Sequence, residues 1–226
     1  MIDRSPKPPD ALLQAVARDL RPVSPAPQPV RLAVRMAPVA LLVSCLILWF
    51  MGVRRDAVTL GPFVVWGASA LQFAAGIALV WIAAREATPA GRLPRRTVST
   101  AAGAAFLVIV LVTLLTYSAV SALGPVRVAP WRLDLACGVS STIAGALLVL
   151  LFGLMFRNSV AARPTLAGAL FGAGAGLVIN ADWRIACPGS GLRHALGAHG
   201  AAVIATVLLG ALIGRILGAW KLRGSR

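Results

Sequence analysis

Long apolar runs separated by short polar segments dominate the chain. A helix that crosses the hydrocarbon core of a bilayer needs about 20 apolar residues, and six runs approach or meet that length. They extend over residues 34–52, 63–84, 98–123, 135–156, 165–180 and 195–220. The fifth run is the shortest and is rich in Gly, which predicts close packing against neighbouring helices. The pattern predicts an all-α membrane protein with a bundle of six transmembrane helices.

A short amphipathic pattern precedes the first run. The apolar residues that share one helical face are Leu13, Val16, Ala17 and Leu20. Pro22 ends this predicted helix and begins a Pro-rich stretch, which should form an extended spacer. A helix of about three turns is marginal alone in water, and its polar face lacks the Lys-rich composition of a membrane-surface helix. The chain therefore divides into a partner-binding segment with its linker (1–33), a transmembrane domain (34–220) and a short tail (221–226).

Composition and charge support a membrane setting and predict its orientation. Hydrophobic residues make up 58% of the chain and charged residues only 13%, a balance typical of proteins embedded in a bilayer. The net charge of +15 resides mainly in Arg residues at the ends of apolar runs, so we expect no direct nucleic-acid contact. Sixteen of the 22 Lys and Arg residues fall on the side of the two termini, which predicts that both termini are cytoplasmic. The six Trp residues fall near predicted span ends, as in an interfacial belt.

Two cysteines and both histidines fall on the predicted outer side. Cys137 opens the fourth run, and Cys187 precedes His194 and His199 in the connection to the sixth, whereas Cys45 lies mid-span and is expected to pack. The four outer residues would suit zinc or another thiophilic metal, the two thiols would suit a disulfide, and simple interfacial packing is the third alternative. On an ideal helix the two histidines stand about 140° apart. Both can therefore face one ion only if the helix begins after His194.

Recognisable catalytic motifs are absent from the sequence. It contains no C-x-x-C, H-E-x-x-H, P-loop or G-x-S-x-G pattern, so we expect a protein that is not an enzyme. The apolar runs carry Asp, Glu, Lys and Arg only close to their ends, which disfavours an intramembrane transport path. A small membrane transporter or scaffold without a transcriptional partner is the alternative.

Several stretches, in order, give the chain a family resemblance. They are LLQAVARDLRPV before the Pro-rich linker, GVRRDAVTLGP, REATPAGR, LDLACGVSSTIAG, FRNSVAARPTLAGALFGAGAGL and ACPGSGLRHALGAHGAAV. Together they resemble the NrsF family of six-span bacterial anti-sigma factors over nearly the whole chain.

The resemblance implies an inner-membrane protein that holds an extracytoplasmic-function sigma factor and releases it on a signal. It implies that the sigma-binding face comprises Leu12, Leu13, Val16 and Leu20. It also implies that Cys137 and Cys187 form a periplasmic sensor. His194 and His199 depart from the family pattern, so both thiol oxidation and metal binding stay open as the sensed signal.

Overall fold

The computed structural model describes residues 9–19, 28–88, 91–126, 128–157, 159 and 161–224, and within them the chain is helical without strands. The helices are α1 (Asp10–Asp19), α2 (Pro29–Met51), α3 (Ala57–Glu86), α4 (Arg95–Leu123), α5 (Trp131–Phe156), α6 (Pro164–Ala186) and α7, which joins Arg193–His199 to Gly200–Gly224. Helices α2 to α7 are each long and apolar enough to cross a bilayer. The predicted all-α fold with six spans is confirmed.

Helix α6 is longer than the sequence predicts and forms the centre of the bundle. It continues to Ala186 instead of ending at Asn180, so Asp182 and Trp183 lie in its last turns and not in the outer loop. Both side chains are buried. In its most apolar window 72% of α6 is buried, against 22–39% in the other spans. The prediction ended this run at the first polar residues, but neighbouring helices shield those residues as well.

Small residues allow α6 to approach its neighbours closely, as the Gly-rich run predicts. Gly172 lies against the backbone of Thr206 on α7, and Gly174 lies against the backbone of Gly76 on α3. A Cβ atom at any of these glycines would overlap a neighbouring main chain or side chain. The contacts follow the small-residue pattern that supports close helix packing in membranes.

Two predictions about single side chains are wrong. Trp183 is buried inside the bundle, whereas the other five tryptophans keep exposed surfaces consistent with a belt. Cys45 is exposed on the surface of α2 and does not pack into the core. Position along a span does not specify which way a side chain faces, and packing decides it.

The loops gather at two opposite ends of the bundle. At the end that we call the cluster end, the backbone N–H of Arg54 donates to the carbonyl of Ile185 at 2.8 Å. There the Arg193 side chain also donates to the carbonyl of Ala129 at 2.6 Å. These bonds join the loop after α2 to the end of α6, and the loop after α4 to the start of α7.

The opposite end carries a buried ion pair. Arg163 donates to both carboxylate oxygens of Glu86, at 2.6 and 2.9 Å, and to the carbonyl of Leu93 at 2.7 Å. Glu86 also accepts the backbone N–H of Leu93. Because six spans alternate in direction, α2 begins and α7 ends at this same end.

Candidate functional site

Cys137, Cys187, His194 and His199 meet in one buried group at the cluster end, which we call the Cys–His cluster. One ligand atom from each residue lies within 4.8 Å of the others. The two sulfur atoms are 3.5 Å apart, and Cys187 Sγ lies 3.2 Å from His194 Nε2. The Nε2 atoms of the two histidines are also 3.2 Å apart. The structure thus brings together all four residues that the sequence singled out.

The first turns of α7 explain how both histidines reach the same point. Residues Arg193–His199 form a π-helical segment, and Gly200 N–H bonds to the carbonyl of Ala195, five residues earlier. In a π-helix the bonds connect residues i and i+5, so residues five apart come onto one side. The expectation that the helix must begin after His194 is therefore wrong. The π-helix winds more widely than an α-helix, a feature that often marks functional sites. The angle of about 140° that an ideal α-helix would set between the two histidines therefore does not apply here.

Two side chains of α5 orient the histidine rings. Asp134 Oδ1 lies 2.7 Å from Nδ1 of His194, and Ser141 Oγ lies 3.2 Å from Nδ1 of His199. A carboxylate that accepts from Nδ1 leaves Nε2 free either to bind a metal through its lone pair or, when protonated, to donate to the Cys187 sulfur. Arg193 forms an ion pair with the other oxygen of Asp134 at 2.8 Å. Both Nε2 atoms therefore point into the cluster.

Sequence reasoning missed Asp134 and Ser141, although a signal was present. They stand three residues before and four residues after Cys137. Residues at these spacings share one face of a helix, so polar groups on both sides of the thiol indicate a polar stripe. In the structure this stripe faces the first turns of α7 and the Cys187 sulfur.

The Cys187 thiol lies in the loop between α6 and α7, and its pKa is lowered. The largest cause is a hydrogen bond from the Cys137 thiol to its sulfur, and the side chains of His194 and His199 act in the same direction. The backbone N–H of Gly189 also donates to Cys187 Sγ at 3.4 Å. Burial opposes these contacts by raising the pKa. The arrangement favours the thiolate, which is the nucleophilic and metal-binding form of cysteine.

The donor set and its spacing fit a tetrahedral thiophilic metal. With Zn–S bonds of about 2.3 Å and Zn–N bonds of about 2.0–2.1 Å, neighbouring ligands of a tetrahedral ion stand roughly 3.3–3.8 Å apart. Three of the six separations, at 3.2–3.5 Å, lie close to that range, and all six are within 4.8 Å. Two imidazole nitrogens with free lone pairs repel each other at such a distance unless a proton or a cation lies between them. Cys137, Cys187, His194 and His199 would hold the ion.

The same geometry keeps the two thiols free but adjacent. A disulfide has an S–S length of about 2.05 Å, whereas the sulfurs here are 3.5 Å apart and both cysteines are unpaired. A shift of less than 2 Å, roughly the difference between these lengths, would allow the bond to form.

Arg54 is a third residue that the sequence did not identify as part of the site. The sequence places it in a pair of positive charges after the first span, which we interpreted only as a topology signal. In the structure it is 5% exposed and donates to Ser190 Oγ at 2.8 Å and to the carbonyl of Pro188. It also forms two bonds with Asp56, and the Arg54 hydrogen bond lowers the pKa of that carboxyl group. Arg54 thus fixes the loop that carries Cys187 to the end of α2.

The predicted partner face lies on α1. Leu12, Leu13 and Val16 are all about half exposed, at 54%, 46% and 52%. Leu20 lies outside the described residues. Apolar side chains with this exposure on a short helix are available to a partner.

Comparison with known proteins gives one family. The model of the NrsF family, described as a negative regulator of sigma F, matches residues 16–220. The comparison with curated proteins gave no match. The comparison with solved structures gave none either. Because the matched region includes part of α1, all six spans and the complete Cys–His cluster, the chain belongs to the NrsF family of negative regulators of a sigma factor.

Proposed function

We propose that this protein is an inner-membrane anti-sigma factor that holds an extracytoplasmic-function sigma factor through α1 and releases it when the Cys–His cluster binds a thiophilic metal ion. The observation that carries the sensing part is the convergence of two thiols and two oriented imidazoles within 4.8 Å. The family supplies the regulated partner, a sigma factor.

The partner-binding role of α1 rests on its exposed apolar face. Leu12, Leu13 and Val16 present this face on a ten-residue helix, and α1 has no extensive contact with another described helix. A helix of this kind gains stability when it lies in an apolar groove of a partner. We assign the sigma-binding surface to these residues together with Leu20.

The orientation of the bundle follows from its charges. Positive residues concentrate in the two terminal segments and in the connections at the end that carries the Glu86–Arg163 pair. Positive loops stay on the cytoplasmic side. In this orientation the Cys–His cluster faces the periplasm and α1 lies in the cytoplasm of a bacterial cell.

Helix α2 is our candidate for the route between the two sites. Arg54, three residues after the end of α2, holds the loop of Cys187, and the chain before Pro29 leads back through the Pro-rich linker to α1. Changing a protein from almost fully bound to almost fully free requires about 5.5 kcal/mol of differential stabilisation. A structural zinc site supplies about 10–16 kcal/mol in small peptides, so a fraction of that energy is sufficient.

Thiol oxidation is the second candidate signal, because of one specific distance. The two sulfurs lie 3.5 Å apart in the unbonded state, and the contacts of Cys187 favour a thiolate. An oxidant would join them as a disulfide and remove both sulfur ligands from the cluster. Metal binding and oxidation are therefore mutually exclusive signals at one site.

The test uses the full-length protein in detergent together with its sigma factor. Co²⁺ added to the reduced protein should give the visible absorption of a tetrahedral cobalt–thiolate site, and zinc should then release the sigma factor. Cys187→Ser should remove both responses. Cys45→Ser is the matched control, because Cys45 is exposed on α2 and should leave both responses unchanged.

Three results would contradict parts of the proposal. Absence of cobalt binding in the reduced wild type would exclude the metal site. Release of the sigma factor by an oxidant alone, with formation of the Cys137–Cys187 disulfide, would select oxidation as the signal. Failure of the reduced, metal-free protein to retain any sigma factor would refute the anti-sigma role.

A further inference from the structure

A small polar cavity lies beside the Cys–His cluster. Its volume is about 30 Å³, more than the ~10–15 Å³ that one water molecule requires. The side chains that matter for its chemistry are Arg54, Thr113, Thr116, Trp183, Arg184 and Ser190. They come from the loop after α2, from α4, from α6 and from the loop after α6.

Two arginines line the cavity, and they differ in their partners. Arg54 is neutralised by its two bonds with Asp56. Arg184 instead donates to the carbonyl of Val112 and to the hydroxyl of Thr116, both uncharged groups of α4. In the part of the chain that the structure describes, no carboxylate forms an ion pair with Arg184. Burying an unpaired cation is strongly unfavourable. This guanidinium therefore requires a counter-ion.

Two donors in the cavity wall also lack an acceptor. The indole Nε1 of Trp183 and the Nε of Arg184 are buried and find no hydrogen-bond partner among the described residues. Trp183 as a whole is only 7% exposed. Buried N–H groups in native proteins almost always have a partner, whether protein, water or ligand. Both orphaned atoms are donors, so the missing group is an acceptor.

The neighbouring Cys187 thiol does not supply the missing hydrogen-bond acceptor. Cys187 also lines the cavity, but its sulfur contacts Cys137, His194 and the backbone of Gly189, and not Arg184. A water molecule would accept from the indole but would leave the charge of Arg184 uncompensated. A cation would be repelled by the Arg184 guanidinium, and a cavity of about 30 Å³ suits only a small ligand.

We propose that this cavity binds a small monatomic anion of halide size, chloride in the cell, which accepts hydrogen bonds from Trp183 Nε1 and Arg184 Nε and serves as the counter-ion of Arg184. The anion would complete the hydrogen bonding of the last turns of α6, directly before Cys187. It is a second ligand site that borders the Cys–His cluster, because Cys187 and His199 also line the cavity.

The test measures chloride binding to the full-length, reduced, metal-free protein in detergent. The line width of the ³⁵Cl NMR signal should increase with protein concentration, and the melting temperature should be higher in sodium chloride than in sodium gluconate of equal ionic strength. Arg184→Gln should weaken chloride binding by about tenfold or more, the range of a hydrogen bond to a charged group. Trp183→Phe, which removes one donor and keeps an aromatic ring, should also weaken it.

Two controls isolate the site. Arg132→Gln removes an exposed arginine at the same end of the bundle and should leave chloride binding unchanged. Cys45→Ser, on the exposed surface of α2 and outside the cavity lining, should also leave chloride binding unchanged.

Equal melting temperatures and line widths in chloride and gluconate would show that the cavity holds only water and would overturn the proposal. Wild-type chloride affinity in Trp183→Phe and Arg184→Gln would do the same. If Arg184→Gln does not fold, the Trp183→Phe result alone decides.

Discussion

Asp134 and Ser141 illustrate how single side chains define the site. Neither is a metal ligand in our assignment, but each holds Nδ1 of one histidine and so directs Nε2 into the cluster. Arg193 in turn pairs with Asp134 from the same segment that carries the histidines. Partners of this kind fix the tautomer and the ring orientation of a ligand. The cluster therefore depends on residues outside the set of four.

Replacing Asp134 tests this dependence. Asp134→Asn keeps the size of the side chain but removes the carboxylate that holds the proton on His194 Nδ1, so the affinity for zinc or Co²⁺ should fall by about 10–100-fold. The measurement is a metal titration of the full-length protein against a competing chelator. Ser140→Ala is the control, because the Ser140 hydroxyl bonds only to the backbone of its own helix. Unchanged affinity in Asp134→Asn would show that the carboxylate does not orient the ligand.

At the scale of elements, two segments with irregular or minimal structure carry the proposed functions. The π-helical turns of Arg193–His199 place both histidines on one side, and α1 presents an apolar face on ten residues. Neither segment is a stable unit alone, since short helices gain most of their stability from packing. Each therefore suits a role in which a ligand or a partner completes the structure.

The role of α1 is tested by a charge on each of its faces. Leu13→Asp places a carboxylate on the exposed apolar face and should free the sigma factor, so transcription from its promoters should rise to the level of a deletion strain. Gln14→Asp adds the same charge at the neighbouring position, which the sequence places on the polar face, and should have little effect. The readout is a promoter–reporter fusion together with immunoblots of the membrane fraction. Full repression by Leu13→Asp at normal protein levels would refute the assignment.

The whole molecule has two ends with different chemistry, and the even number of spans places both termini at one of them. One end carries the Cys–His cluster and Arg54, and the other carries the Glu86–Arg163 pair and the connections to both termini. The central helix α6 contacts both ends and is the most buried span.

Topology is the property of the whole molecule on which the proposal rests. Alkaline phosphatase is active only in the periplasm, so a fusion after Arg127 should be active and a fusion after Arg92 inactive, because positive residues concentrate on the side of Arg92. Fusion activities are measured in intact cells and normalised to the amount of fusion protein. The reverse pattern would place the Cys–His cluster in the cytoplasm.

Sequence periodicity predicted the elements well but their ends less well. The six spans follow from apolar length alone, since a bilayer requires about 20 such residues and few charges. The end of α6 was wrong because Asn180 and Asp182 are polar yet buried among helices. From the sequence, Arg54 and Arg184 were interpreted only as charges that help to predict the membrane topology. In the structure both side chains form hydrogen bonds with residues far along the chain, so they also hold the fold together.

The sequence alone determined the class of fold, the number of spans, the family resemblance and the four residues of the cluster, because hydrophobic length and residue type are local properties. Tertiary structure alone decided that the two thiols and two imidazoles meet within 4.8 Å. It also decided that a π-helical turn makes this meeting feasible and that Arg184, beside the cluster, forms no ion pair with a carboxylate of the described residues. The physical reason is that coordination and charge compensation depend on distances between segments 50 or more residues apart, which no local pattern specifies.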